Sequence, residues 1–211
     1  MIDSYRTMRA YLRADRVSRG GADGRLKIFL FDPVWRFILL MRLLEYLINT
    51  RKPALLRLPI LFWYRRLSVR LGFSVAPGIF GPGLAIVHYG LLVIDPTTRV
   101  GRNCRIHAGV NIGGGAYFVD PAEAHLHSPR IGDNVYIGPG AKLYGPIVIG
   151  DNCVIGANAV VTRSFPDAGL TLGGIPAKVI AEGGGGERVL KGAPVNGDAG
   201  APGAGGSSTS G

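Results

Sequence analysis

Four histidines are the side chains of this 211-residue chain that are best suited to proton transfer: His88, His107, His125 and His127. An imidazole titrates close to neutral pH, so histidine is the usual general base for activating a hydroxyl group. His88 stands in the stretch IVHYG, whose neighbours are largely aliphatic. A histidine in such a position predicts a chemical role, and His88 is the candidate catalytic base.

A metal site is not expected from the residues around the last two histidines. The candidate ligands would be Asp120, Glu123, His125 and His127, and their spacing matches no known ligand motif. Cys104 and Cys153 also lack such a spacing. Both fall where the repeat described below requires a small residue, so we expect buried thiols in a reducing, cytoplasmic compartment.

A six-residue period positions these side chains. Aliphatic residues recur at every sixth place from residue 131: Ile131, Ile137, Leu143, Ile149, Ile155 and Val161. Helices repeat near 3.6 residues and strands at 2, so this period requires another geometry. It predicts a mainly β protein, a left-handed parallel β-helix of hexapeptide repeats with an N-terminal α-helical segment. The lead aliphatic residues point inward, and Gly or Asn takes the left-handed angles at the corners.

An upstream run keeps the same period in a different phase. Counting back from Ile112 in sixes reaches Ile106, Val100, Ile94 and then His88, which would occupy an inward position. His107 directly follows a lead residue, so it should point outward. The frame slips between residues 112 and 131, which predicts an excursion loop over 113–130, and such loops commonly carry function.

Charge and composition divide the chain into three segments. Residues 1–75 form a basic helical segment with 15 Lys/Arg and 5 Asp/Glu, and residues 76–182 form the β-helix domain. Residues 183–211 are rich in Gly, Ala and Ser and are expected to be a disordered tail. The helices of the basic segment are expected over 2–17, 26–48 and 53–71.

The basic segment has two interpretations, which are compatible. It can cap the first coil, or its interleaved Arg and aromatic residues can contact an anionic membrane surface. Charged residues interrupt every apolar run, which argues against a transmembrane span. No reading motif for nucleic acid accompanies the charge, so no nucleic-acid partner is expected.

Three stretches carry a resemblance to a known family. They are GPGLAIVHYGLLVIDPTTRVGRNCRIHAGVNIGGG, PRIGDNVYIGPGAKLYGPIVIGDNCVIGANAVVTRSFP and GGIPAKVI, which cover about half of the chain. They resemble the serine acetyltransferase branch of the hexapeptide acyltransferases. The N-terminal third is more similar to the short relatives of polysaccharide and capsule biosynthesis.

The resemblance implies a homotrimer with acetyl-CoA, a co-substrate, in a groove between adjacent β-helices. His88 matches the catalytic base that deprotonates the acceptor hydroxyl for direct attack on the thioester. Residues matching cofactor-binding positions are Gly113, Gly114, Ala141, Ala159 and Lys178. The two glycines match a strand exit, the two alanines small positions beside the pantetheine arm, and the lysine a place near the nucleotide.

Departures from the family pattern concern the acceptor. Val87 stands where the family has an acid before the base, and Phe73 aligns with a second acid. His127 and Ser128 replace an Arg-His pair. Candidate acceptor-binding residues are Tyr89, His107 and His127. From these changes we expect an O-acetyltransferase that modifies a saccharide or cell-surface glycan precursor. The alternatives are L-serine as acceptor or a catalytically silent trimeric scaffold. The location would be cytoplasmic, with optional contact to the inner face of the membrane.

Overall fold

A computed structural model describes residues 1–20, 32–114 and 123–183. Three helices precede the strands: α1 (Tyr5–Ser18), α2 (Pro33–Asn49) and α3 (Ala54–Leu71). Asp32 caps α2, since its carboxylate accepts hydrogen bonds from the amides of Val34 and Trp35 at 2.9 and 3.0 Å. Gly72 ends α3 in the left-handed conformation, at φ 77°.

Fourteen short strands follow in the described part of the chain. They are β1 (Phe73–Ser74), β2 (Ala85–Ile86), β3 (Leu92–Ile94), β4 (Arg99–Val100), β5 (Arg105–Ile106), β6 (Asn111–Gly113), β7 (Arg130–Ile131), β8 (Tyr136–Ile137), β9 (Lys142–Tyr144), β10 (Val148–Ile149), β11 (Val154–Ile155), β12 (Val160–Val161), β13 (Leu170–Gly173) and β14 (Lys178–Glu182). A one-turn 3-10 helix, Ala124–His127, precedes β7.

The strands stack into three sheets that form the faces of a coil. Sheet A contains β1, β3, β6, β9 and β12, sheet B contains β4, β7 and β10, and sheet C contains β2, β5, β8, β11, β13 and β14. All pairs are parallel except β13 with β14. The prediction of a hexapeptide-repeat parallel β-helix preceded by helices is confirmed.

The inward aliphatic residues stack on one another from coil to coil. Ile106 pairs with Ile137, Val100 with Ile131, and Ile112 with Leu143. All six are at most 5% exposed and belong to one continuous core. Each coil therefore contributes to a core that one coil could not bury alone.

Asparagines turn one line of corners. Asn103, Asn134 and Asn152 adopt φ between 54° and 57°, the left-handed region that Asn tolerates better than most residues. Their side-chain amides also form a chain: Asn103 donates to Asn134 at 2.9 Å, and Asn134 donates to Asn152 at 3.0 Å. The expected use of Asn at strained corners is thus observed.

Both cysteines lie inside the coil. Cys104 and Cys153 are at most 1% exposed and are not disulfide-bonded. Burial raises the pKa of the Cys104 thiol to about 12, so it is not a nucleophile at neutral pH.

A buried charge cluster joins the helices to the first coil. Arg42 of α2 is fully buried and donates to both carboxylate oxygens of Asp15, at 2.9 and 3.2 Å. Its guanidinium also donates to the carbonyls of Phe80 at 2.8 Å and Gly81 at 2.7 Å. The Asp15 carboxylate in turn accepts hydrogen bonds from the backbone amides of residues 83 and 84, both at 2.8 Å. Helices α1 and α2 therefore cap the first coil, as one of the two interpretations expected.

The helix bounds differ modestly from expectation. The second helix begins at Pro33, while residues 21–31 lie outside the described part, as do residues 115–122 of the excursion loop and 184–211 of the expected tail. Among the helices described, none is both long and apolar enough to cross a membrane.

The charge cluster yields a stability prediction. Arg42→Met removes every donor to Asp15 from this side chain and leaves a buried carboxylate short of its partner. We expect the free energy of unfolding to fall by about 3–5 kcal/mol. Arg13→Met, on the exposed side of α1, is the matched control and should change it little. Denaturant unfolding at equal protein concentration measures both, and equal losses would show that the cluster does not hold the cap.

Candidate active site

His88 lies outside the coil, at a widened corner. Ile86, not His88, takes the inward place: it pairs with Ile106 and is 1% exposed. The predicted register is wrong here, because the inward residues Ile86 and Ile94 are eight residues apart and not six. Gly90, at φ 131°, lets this longer corner return to the coil. The extra length carries His88 and Tyr89 into solvent, and Tyr89 is 70% exposed.

The backbone before His88 is held by the helical cap. Arg19, just after α1, donates a hydrogen bond to the carbonyl of Ile86. The same guanidinium pairs with Asp32 at 2.5 Å, which fixes it at the start of α2. The helices thus position the strand end that leads to the candidate base.

The ring of His107 packs beside that of His88. It follows β5, is half-buried, and its ring centroid lies 6.1 Å from that of His88 and 5.0 Å from that of Tyr136. Its Nε2 atom is buried, with no hydrogen-bond partner among the described residues. The pKa of His107 lies below 6.5. The largest cause is burial, followed by the nearby positive charge of Arg105 and by His88. His107 therefore presents a neutral imidazole next to His88.

A second group of polar residues lies at the corner between sheets A and B. Asp95, directly after β3, accepts hydrogen bonds from the Thr97 amide at 2.8 Å and from the Thr97 hydroxyl. The Thr97 hydroxyl also hydrogen-bonds Ser128, which is 3% exposed and whose hydroxyl is 3.5 Å from Asp95. Sequence reasoning missed Asp95 and Thr97. The one signal was an acid placed directly after the apolar strand β3.

Gly113 and Gly114 are required by close packing at this corner. A Cβ on Gly113 would lie 2.5 Å from Cε1 of Tyr144, and a Cβ on Gly114 would overlap the Ser128 hydroxyl. The exit from β6 therefore accepts only glycine unless its neighbours move. His127, half-buried at the end of the 3-10 helix, lies next to Ser128. The side chain of His125 and all of Asp120 lie outside the described residues.

The two alanines lie in the core of the coil. The methyl groups of Ala141 and Ala159 are 0% and 1% exposed and belong to the core. They are small because the coil interior has no room there. Lys178 is exposed at the start of β14, where a phosphate can reach it.

The predicted residues thus form two groups on one chain. His88, Tyr89 and His107 lie at the corner after sheet C, and Gly113, Gly114 and Ser128 lie at the corner after sheet A. Strand β3, about 10 Å long, separates the corners of His88 and Asp95. In the part of the chain that the structure describes, no three His, Cys, Asp or Glu side chains are grouped to hold a metal ion.

Comparisons with known proteins place this architecture. The bacterial transferase hexapeptide (six repeats) family matches residues 128–163. Serine acetyltransferase of Synechococcus elongatus is 34% identical over 173 residues, which are 82% of this chain and 65% of that protein. The chain contains the hexapeptide repeat and is similar in sequence to serine acetyltransferases. It spans less than two thirds of the length of this curated relative.

Solved structures give the same relationship. Serine acetyltransferase of Brucella abortus in complex with coenzyme A superposes with a TM-score of 0.66 at 27% identity, covering 84% of this chain and 68% of that one. The Neisseria gonorrhoeae enzyme in complex with serine superposes with a TM-score of 0.62 at 29% identity, covering 82% and 67%.

The expected saccharide acceptor is wrong. The homologues are named serine acetyltransferases, and the Neisseria gonorrhoeae structure contains serine itself. The comparisons do not show the short branch of polysaccharide and capsule biosynthesis either. The absence of an acid at residues 87 and 73 does not exclude serine as acceptor, because other groups, such as the Asp95 cluster, can form the acceptor side of a site.

The environment of His107 yields a titration prediction. The nearby groups are Arg105, His88 and Tyr136. We expect its pKa, followed by the imidazole Hε1 resonance, to lie below 6.5. Arg105→Gln should raise it, because removal of a nearby positive charge favours the protonated ring. Arg163→Gln, an exposed change elsewhere on the β-helix, should leave it unchanged. A His107 pKa above 6.5 in the native chain would contradict the neutral-imidazole assignment.

Proposed function

We propose that this chain is a serine O-acetyltransferase that moves an acetyl group from acetyl-CoA to the hydroxyl of L-serine. The observation that carries the proposal is the pair of imidazoles, His88 exposed and His107 neutral, at the strand ends of a β-helix homologous to serine acetyltransferases. A catalytically silent scaffold has no need of an exposed histidine at a corner lengthened to present it.

The reaction needs one base and no covalent enzyme intermediate. His88 takes the serine hydroxyl proton as the oxygen attacks the thioester carbonyl carbon, the carbon–sulfur bond breaks, and the proton passes from His88 to the departing sulfur. A backbone N–H near the corner would stabilise the negative oxygen in the transition state.

His88 is oriented without the adjacent acid of the family pattern. Val87 carries no charge, but its amide donates to the carbonyl of Ile106 at 3.0 Å and thus fixes the start of the corner. Arg19 holds the Ile86 carbonyl, and the neutral ring of His107 limits the space open to His88. We infer that backbone anchoring and ring packing replace the charge of the missing acid.

The corner after sheet A offers groups that can bind the two substrates. The pantetheine arm would run along the backbone at the β6 exit, where Tyr144 and Ser128 already fill the space beside Gly113 and Gly114. The exposed Lys178 ammonium suits a nucleotide phosphate. Asp95 can pair with the amino group of serine. His127, which is half-buried, can donate a hydrogen bond to its carboxylate.

The site is proposed to be shared between subunits of a trimer. On one chain, β3 lies between the His88 corner and the Asp95 corner, so the two groups do not face one substrate together. A closed threefold ring places one corner of each chain against a different corner of its neighbour. The ring would complete three equal sites.

The first test concerns the base. His88→Ala should lower kcat/KM by about 10²–10⁴-fold, because proton transfer is lost. His107→Ala should cost less, since His107 does not take the proton in this mechanism. Thiol release from acetyl-CoA with L-serine measures both variants, with circular dichroism as the check on folding. Full activity of His88→Ala, or a larger loss in His107→Ala, would reject this assignment.

The second test concerns the shared site. Light scattering should give a mass of three chains or a multiple of three. His88→Ala and Asp95→Asn should each be slow alone, yet subunits mixed by reversible dissociation should regain about a quarter of wild-type activity by random assortment in a ring. No recovery on mixing, with trimers intact, would mean that each site lies within one chain. An active monomer would also contradict the proposal.

A further inference from the structure

Helix α3 has two apolar faces, and only one of them packs against other described residues of the chain. Tyr64, Ser68 and Leu71 are buried on the inner face. The Tyr64 ring stacks on Phe37 of α2 at 5.1 Å between centroids, and its hydroxyl donates to the Val75 carbonyl. This face fixes α3 against α2 and β1.

The opposite face exposes a stripe of large apolar side chains. Leu55, Leu58, Phe62 and Val69 are 83%, 61%, 60% and 84% exposed. At 100° per residue, these four positions fall within about 60° of the helix circumference. A contiguous exposed apolar stripe of this kind marks a surface that meets something other than water.

Arginines flank the stripe on both sides. Arg65 borders one edge, and Arg66 and Arg70 border the other, where Trp63 is 57% exposed. No Asp or Glu occurs anywhere between residues 46 and 94. The surface therefore combines insertion-competent apolar groups with positive charge that no acid on this helix offsets.

An apolar groove adjoins the second edge. It has a volume of about 500 Å³ and is lined by residues of all three helices, among them Leu12, Leu39, Leu43, Trp63 and Arg66. The groove extends the apolar surface from the stripe towards α1. Its mouth carries arginines of α2 and α3.

We propose that the outer face of α3 is a docking surface for an anionic lipid bilayer, with the stripe at the level of the acyl chains and the arginines on headgroup phosphates. A helix lying in the membrane plane needs an apolar strip bordered by cations, which is the arrangement observed. A second copy of the chain is a poorer occupant, since a two-fold contact would bring two sets of arginines together with no acid on either face. Residues 1–75 were expected to contact a membrane, and the proposal assigns this contact to the outer face of α3. It does not depend on which acetyl acceptor the protein uses.

The test compares two variants of equal charge. The first combines Arg65→Gln, Arg66→Gln and Arg70→Gln on α3. The control combines Arg6→Gln, Arg9→Gln and Arg13→Gln, three exposed positions of α1. With vesicles containing phosphatidylglycerol at low salt, the α3 variant should lose about 100-fold in partitioning, equivalent to about 1 kcal/mol for each arginine at the surface. The α1 variant should lose much less. Vesicles of phosphatidylcholine alone should bind the full chain weakly.

Insertion is tested separately from charge. Trp63 is exposed while Trp35 is 8% exposed, so a blue shift of emission on anionic vesicles reports the environment of Trp63. Leu58→Ser with Phe62→Ser should abolish the shift and weaken binding, while circular dichroism stays unchanged.

Three results would overturn the proposal. They are failure of the full chain to bind anionic vesicles at low salt, equal loss of binding in the α1 and α3 arginine variants, and a change in solution mass of the α3 variants. The last result would assign the face to contact between copies of this chain.

Discussion

Every feature of this protein depends on the vertical stacking of inward side chains. Because strands in neighbouring coils are parallel and in register, Ile106 must sit between Ile86 and Ile137, and a slip of one residue would turn it outward. Extra residues are accommodated only at the corners. The excursion loop leaves after Gly114 and returns by Ser128 without disturbing the pairing of Val100 with Ile131. The candidate site residues His88, Tyr89, His107 and Asp95 accordingly lie at corners, where the chain has freedom that the strands lack.

The open end of such a stack presents backbone groups that the next coil would otherwise pair. The buried ion pair of Arg42 and Asp15 supplies these missing hydrogen bonds. Arg42 donates to two backbone carbonyls of the first coil, and Asp15 accepts hydrogen bonds from two of its backbone amides. Burial alone would lower the pKa of Arg42, but the adjacent Asp15 and Glu45 carboxylates outweigh it and raise it. The pair is therefore ionised, and its hydrogen bonds give the cap one orientation. Arg19 extends the same arrangement to Ile86, which ties the cap to the corner of His88.

The six-residue period was sufficient to predict the fold, since no other regular structure repeats aliphatic residues in that way. It was not sufficient to place His88. Counting in sixes assumes a constant spacing of lead residues, and Ile86 and Ile94 are eight residues apart. The prediction named His88 as the candidate base and gave it an inward position that Ile86 fills. The Asp95 cluster was missed for another reason. Asp95 and Ser128 are 33 positions apart, and the excursion loop between them has no periodicity from which their proximity could be inferred. The saccharide acceptor was inferred largely from residues that depart from the family pattern, and such departures show which contacts are absent but not what the remaining groups bind.

The basic N-terminal segment shows why counting charges was less informative than placing them. Arg42 and Arg19 contribute to the excess of positive charge in residues 1–75, yet both are paired with carboxylates and bonded to backbone carbonyls within the cap. Their positive charge is not available to a partner. Arg65, Arg66 and Arg70 lie on the exposed side of α3 beside an apolar stripe. Helix α3 is apolar on its inner and outer faces alike, so its sequence lacks the single-sided pattern by which a surface helix is normally recognised. Only the packing of Tyr64 and Leu71 shows that the other apolar face is the one left exposed among the described residues.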